Sequence, residues 1–156
     1  MSRKIKIQAT GFEMAGDGKT EKSPNNPESR VTPANIQRLA PGEVFVFGSN
    51  SLGHHAGGAA RVAFDKFGAV WGQGHGMQGM SYAIDSMSGD EAMRRDISAF
   101  ITFAAQHTDK TFLVTPIGCG IAGKHPSEVA PMFEDCVRLA NVCLPASFWD
   151  VIGWPE

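Results

Sequence analysis

The sequence predicts an α/β fold in which helices pack on a largely parallel sheet. Three observations carry that prediction. Residues 44–47 and 112–114 are apolar without interruption, as in central strands covered on both faces. Between and after them, apolar residues recur every three or four positions, which marks helices with one buried face. Strands and helices alternate along the chain, and crossovers of that kind build a sandwich around a mostly parallel sheet.

Length and composition set the bounds. A chain of 156 residues fits one domain with a substantial core. Hydrophobic residues at 42% against 19% charged exclude a disordered chain. A net charge of −2 gives no electrostatic case for nucleic acid or an anionic membrane. No apolar run approaches the ~18 residues of a membrane-spanning helix, and the N-terminus lacks the apolar core of a secretion signal. The cysteines, Cys119, Cys136 and Cys143, are odd in number and match no zinc spacing, so a reduced, cytoplasmic setting without metal or cofactor is expected. Cys136 and Cys143 lie in apolar surroundings and are expected in the core.

The elements follow in order. Residues 1–10 include KIKIQAT, where Ile5 and Ile7 alternate with polar residues, as in an edge strand or an ordered arm. Residues 11–30 are nearly free of apolar side chains and read as a loop or mobile linker. The chain thus divides into an arm over residues 1–30 and a domain over residues 31–156. Thr32-Pro33 predicts a capped helical turn with Ile36 and Leu39 inward. Residues 43–48 form the first strand. Residues 57–67 carry Ala60, Ala63, Phe64 and Phe67 on one helical face, with Gly68 as the terminating glycine. Residues 69–79 contain WGQGHGMQG, read as irregular and lying across a ligand or another backbone. Gly74, Gly76 and Gly79 spell G-x-G-x-x-G, but without a preceding strand and a following amphipathic helix they predict no dinucleotide site.

Residues 81–84 form a short strand. The longest helix opens at Ser88-Gly89-Asp90 and runs to about His107, with Ile97, Phe100, Ile101 and Ala104 inward and Arg94, Arg95 and Asp96 outward. Residues 111–116 are the second central strand. A third helix follows His125-Pro126 and turns Val129, Met132, Phe133, Cys136, Val137 and Ala140 inward, with an irregular first turn at Pro131. Residues 141–144 form a last strand. The tail over residues 145–156 packs down through Phe148, Trp149, Val151 and Ile152.

Two strand-to-helix loops carry the functional signal. Gly53, Gly57 and Gly58 stand in the first, Gly118, Gly120 and Gly123 in the second. A pyrophosphate needs converging N–H donors with no Cβ in the way, and helix N-termini add positive potential. Ligands of such sheets bind beyond the carboxyl ends of the strands. The alternative is that these glycines only make tight turns. Side-chain candidates for chemistry are His54, His55 and His75 as acid or base, Lys124 toward phosphate, and Asp85 for positioning water. Cys119 is the thiol nearest a helix N-terminus, where thiolates are stabilised. Each has a structural alternative as a turn, loop or exposed residue.

These stretches resemble the macrodomain family, the ADP-ribose-binding module. FGSN at residues 47–50 followed by GHHAGGAA at residues 53–60, and TPIGCGIAG at residues 115–123, stand where macrodomains carry their asparagine motif, glycine run and second phosphate loop. The pattern is similar to FGSNxxGxHxxGxA, GQGxGxxGxSYAI and IGCGxAG of a divergent branch in bacteria and phages. The resemblance covers residues 44–140 and implies a three-layer α/β/α sandwich with a mostly parallel mixed sheet. It implies ADP-ribose or a similar phosphate-bearing small molecule as ligand, with an ADP-ribosylated protein as a candidate partner. It also implies a binding set of Gly48, Ser49, Asn50, Gly53, Gly57, Gly58, Ala59, Gly118, Cys119, Gly120, Ile121, Ala122 and Gly123. If the chain is a hydrolase acting at the distal ribose, Asn50, His55 and Asp85 are the catalytic candidates, and the resemblance to one macrodomain branch implies attack on a ribose aldehyde carbon as a role for Lys124. The chain departs from the family in two places. TPANI replaces the Gly-Asp-Ile segment that holds adenine, and Ala122 and Lys124 stand where an aromatic residue covers the ribose. A non-enzymatic accessory protein, using the fold as a sensor or interaction platform, is the alternative.

Overall fold

The computed structural model describes residues 27–155; the strand expected over residues 1–10 and the loop up to residue 26 lie outside the described residues. Five strands form one mixed sheet: β1 (Glu43–Ser49), β2 (Gly76–Gln78), β3 (Ser81–Asp85), β4 (Thr111–Val114) and β5 (Val142–Cys143), in the order β2-β3-β1-β4-β5. β1 runs parallel to β3 and to β4, and β4 parallel to β5, while β2 is antiparallel to β3. The helices are α1 (Gly58–Lys66), α2 (Asp90–Gln106), α3 (Pro126–Val129) and α4 (Ala146–Ile152), with 3-10 segments at Pro27–Arg30 and Ala130–Arg138. No helix among the described residues is long and apolar enough to cross a membrane.

The apolar run of β1 divides between two cores. Val44 and Val46 join Met93, Ile97 and Phe100 of α2, Phe133 and Cys136 of the long 3-10 segment, and Phe148 and Trp149 of α4. Phe45 and Phe47 join Ala60 and Ala63 of α1, with Phe67 just after it. Alternate residues of a strand point to opposite faces, so helical structure covers the sheet on both sides.

Several expectations change. No helical turn follows Thr32. Val31 bridges Leu144 in parallel and the Thr32 N–H donates to the Leu144 carbonyl at 2.9 Å, which draws the backbone out straight. Ile36 and Leu39 still pack inward, beside α1's core. Residues 76–78 form β2, because β3 offers them an edge to pair with. Phe64 is exposed and stands edge-on to Trp71. Asp96 is buried, where its carboxylate accepts the Asp85 N–H at 2.8 Å. The third helix continues as 3-10 from Ala130, with Pro131 at its first turn lacking the N–H an α-helix would use. The tail forms α4, burying Phe148 and Trp149 but leaving Val151 exposed.

Residues 27–30, read from sequence as loop, form a 3-10 turn that delivers Arg30 to the interior. Its guanidinium donates to the carbonyls of Cys136, Val137 and Leu139 at 2.6–2.9 Å, and to that of Val142 at 3.2 Å. It therefore caps the end of the 3-10 segment, adding to the Leu139 N–H on the Cys136 carbonyl and to the Val142 N–H on that of Leu139. It also lies 5.0 Å from the Trp149 ring centroid. Burial pulls its pKa below the ordinary value, but a guanidinium stays charged in proteins. Arg30→Met would remove all four of these bonds, leaving the Cys136 and Leu139 carbonyls only their backbone donors, the N–H groups of Leu139 and Val142. We expect a loss of about 3 kcal/mol or more in urea denaturation; a loss under about 1 kcal/mol would show that the staple is dispensable.

Candidate functional site

β3, β1 and β4 are parallel neighbours, so their carboxyl ends open at one edge of the sheet. The loops leaving those ends surround a single cleft of about 240 Å³. The β1–α1 loop contributes residues 48–50, 54 and 56–60, and the loop after β4 contributes residues 115–118 and 120–122. Ser86 and Met87 complete it from the end of β3.

Of the residues named from sequence, Gly48, Ser49, Asn50, Gly57, Gly58, Ala59, Gly118, Gly120, Ile121 and Ala122 line this cleft. Gly53, Cys119, Gly123, His55 and Asp85 do not. A Cβ on Gly57, Gly58 or Gly120 would meet nothing within 4 Å, so these positions leave open space. Gly57 is the N-cap of α1 and offers no side-chain cap, which leaves the first-turn amides available at the cleft. Gly53 does a different job. A side chain there would overlap the backbone of Gly72 and Gln73, and one on Gly74 would overlap the Asn50 carbonyl. The glycine-rich stretch after α1 thus crosses the first loop backbone on backbone.

The three catalytic candidates occupy distinct settings. The Asn50 amide closes its own loop: Nδ2 donates to the His54 carbonyl at 3.0 Å, and Oδ1 accepts the His54 N–H at 2.9 Å. His55 is fully buried. Its Nε2 donates to the Val70 carbonyl at 2.8 Å and lies 3.2 Å from Gln78 Oε1, so in the neutral ring Nδ1 accepts from Ser49 Oγ at 2.8 Å. Asp85 Oδ1 accepts the Met87 N–H at 3.0 Å and so shapes the turn after β3. His55 and Asp85 brace the loops from outside the cleft.

The remaining candidates separate further. Lys124 Nζ sits 2.7 Å from Asp90 at the start of α2. That hydrogen bond holds the Asp90 carboxyl below its ordinary pKa and raises that of Lys124. His75 is exposed and outside the cleft. His54 lines the cleft, and its ring stacks on Trp71 at 5.3 Å. Among the described residues, no group of three His, Cys, Asp or Glu side chains is placed to hold a metal ion. Sequence reasoning missed Ser86, Met87 and Thr115–Ile117 as lining residues. The rule that ligands meet the carboxyl ends of parallel strands pointed to them, since they follow β3 and β4.

No protein-family model, curated protein or solved structure matches this chain.

Cys119 lies beside the second loop with its Sγ 3.7 Å from the Ile117 carbonyl. Burial, helped by the Glu128 charge, pushes its thiol pKa up, the reverse of thiolate stabilisation. Cys136 is pushed to about 12. Since the thiolate is the nucleophile, iodoacetamide should alkylate Cys119 at neutral pH more slowly than a cysteine in an unstructured peptide. The rate should keep rising at pH values where the peptide's has levelled. Mass spectrometry of a time course checks this, and peptide-like or faster labelling contradicts it.

Proposed function

We propose that this chain is a divergent macrodomain-like α/β/α module that binds ADP-ribose or a related nucleotide-derived metabolite, free or attached to protein. The observation that carries the reading is the convergence of both glycine-rich loops on one cleft, at the carboxyl ends of adjacent parallel strands. Open positions at Gly57, Gly58 and Gly120 let a phosphate approach the backbone, and the uncapped first turn of α1 supplies N–H donors. The size of the cleft refines this. Its 240 Å³ falls below the ~300–1,000 Å³ of typical small-molecule sites, so it suits a phosphate and a sugar, with the rest of a dinucleotide on the rim. There, Met87 and Ile121 are 49% and 84% exposed and offer apolar surface to a ring.

Binding without turnover is the form of the reading that the side chains favour. His55 and Asp85 stand outside the cleft, so hydrolysis at a distal ribose would have to proceed without them. That supports a sensor or interaction role over a hydrolase.

Calorimetry tests the proposal. The wild-type protein should take up ADP-ribose with a 1:1 stoichiometry. Gly120→Val places its branch in open space, so the melting temperature should hold while affinity falls at least about tenfold, or ~1.4 kcal/mol. Folded wild-type protein that gives no heat at millimolar ADP-ribose would overturn the reading.

A further inference from the structure

The cleft has an unusual electrostatic composition. None of its lining residues is Lys, Arg, Asp or Glu, and His54 is its one titratable side chain. The basic groups nearest in the chain are committed elsewhere: Lys124 to Asp90, Arg61 to Asp65 at 3.1 Å, and Lys66 to the Gln37 side chain. The other histidines are occupied or distant. His55 has both ring nitrogens bonded, His107 Nδ1 is bonded to the Phe103 carbonyl, His125 Nδ1 caps α3, and His75 lies outside the cleft.

His54 differs from all of these. Its backbone N–H and carbonyl are held by the Asn50 amide, so the residue sits on a braced loop. Its ring lies on the Trp71 indole with an interplanar angle of 15°. Trp71 is itself fixed edge-on by Phe64 at 5.5 Å and by His55 at 6.3 Å. Among the described residues, neither His54 ring nitrogen has a hydrogen-bond partner. An imidazole held in plane with its donor unspent is a preorganised contact for an anionic oxygen.

We infer that His54, held by Trp71, is the specificity-determining side chain of the cleft and contacts the phosphate of the bound ligand. The inference rests on the proposed nucleotide-metabolite reading and names the side chain that the backbone amides need beside them. Its chemistry is that of a donor to phosphate oxygen; the ring face adds stacking area on the side away from Trp71.

ADP-ribose calorimetry on a variant series separates the possibilities. His54 is exposed, so His54→Ala, His54→Phe and His54→Gln should melt close to the wild type. Affinity should fall about tenfold in His54→Ala and in His54→Phe, which keeps a ring but no donor. His54→Gln, which restores a donor, should recover part of the loss. Wild-type affinity in His54→Ala overturns the inference, and if Gly120→Val still loses affinity the cleft reading stands. Wild-type affinity in His54→Phe with loss in His54→Ala reduces the role to stacking and overturns phosphate contact. No binding by the wild type overturns the inference and the cleft reading together.

Discussion

Burying both faces of β1 is the constraint from which the rest follows. Val44, Phe45, Val46 and Phe47 are all sequestered from water, so the backbone between them must find its hydrogen bonds within the sheet. Central placement between β3 and β4 meets that need, and a core must then form on each face. The cleft arises where the pairing stops being symmetric. β4 keeps register with β1 only as far as Val46↔Val114, whereas β3 follows it three residues further, to Ser49↔Asp85. Thr115 makes the last contact, its N–H and Oγ1 both donating to the Val46 carbonyl. Pro116, with no N–H to give, then turns the chain away. The end of β1 is left with open space on one side, and the loops close around it.

The first loop is shaped by the protein's own contacts. The Asn50 amide fixes His54, the His55 ring ties Ser49 to the Val70 carbonyl, and the Gln78 side chain gathers Val70, Gln73 and Gly76. Backbone contact at Gly53 and Gly74 locks the two loops together. Ordering entropy already lost in folding is not lost again on binding. The glycines thus serve opposite ends: at Gly53 and Gly74 they permit close packing, while at Gly57 and Gly120 they keep a surface bare.

What sequence could reveal follows the range of the interactions involved. Uninterrupted apolar runs declared β1 and β4, and the 3–4 spacing of Ile97, Phe100 and Ala104 declared α2, because these patterns are local. The two glycine-rich loops were legible for the same reason. Arg30 was not, since its partners lie more than a hundred residues away and the stretch leading up to it is nearly free of apolar side chains. Asp96 read as a solvent residue on its helix, yet the orphan N–H of Asp85 claims it. β2 is three residues long and glycine-flanked, with too little periodicity to identify until β3 supplies an edge. His55 sat beside a glycine run and suggested chemistry, whereas its burial depends on Val70 and Gln78 from a distant loop.

The charge arrangement around the cleft bears on what it admits. A lining with no acidic side chain imposes no like-charge cost on an anion, and the carboxylates that flank Ser86 and Met87 in the chain are engaged, Asp85 with the Met87 N–H and Asp90 with Lys124. With no fixed cation either, attraction at a distance is weak, because a lysine- or arginine-lined site would draw anions in through its field. On the proposed reading, selectivity comes at short range, from how many acceptor oxygens a ligand presents to the His54 donor and the loop N–H groups, and from whether its shape matches the bare glycine surface. Bulk anions satisfy the first requirement but gain little from the rim. The proposed ligand, joining a phosphate to a ring system, would satisfy both, with the ring against Met87 and Ile121 and the phosphate at the loop amides. On that reading the apolar rim, the His54 ring and the uncharged floor act as one filter, and no part would discriminate alone.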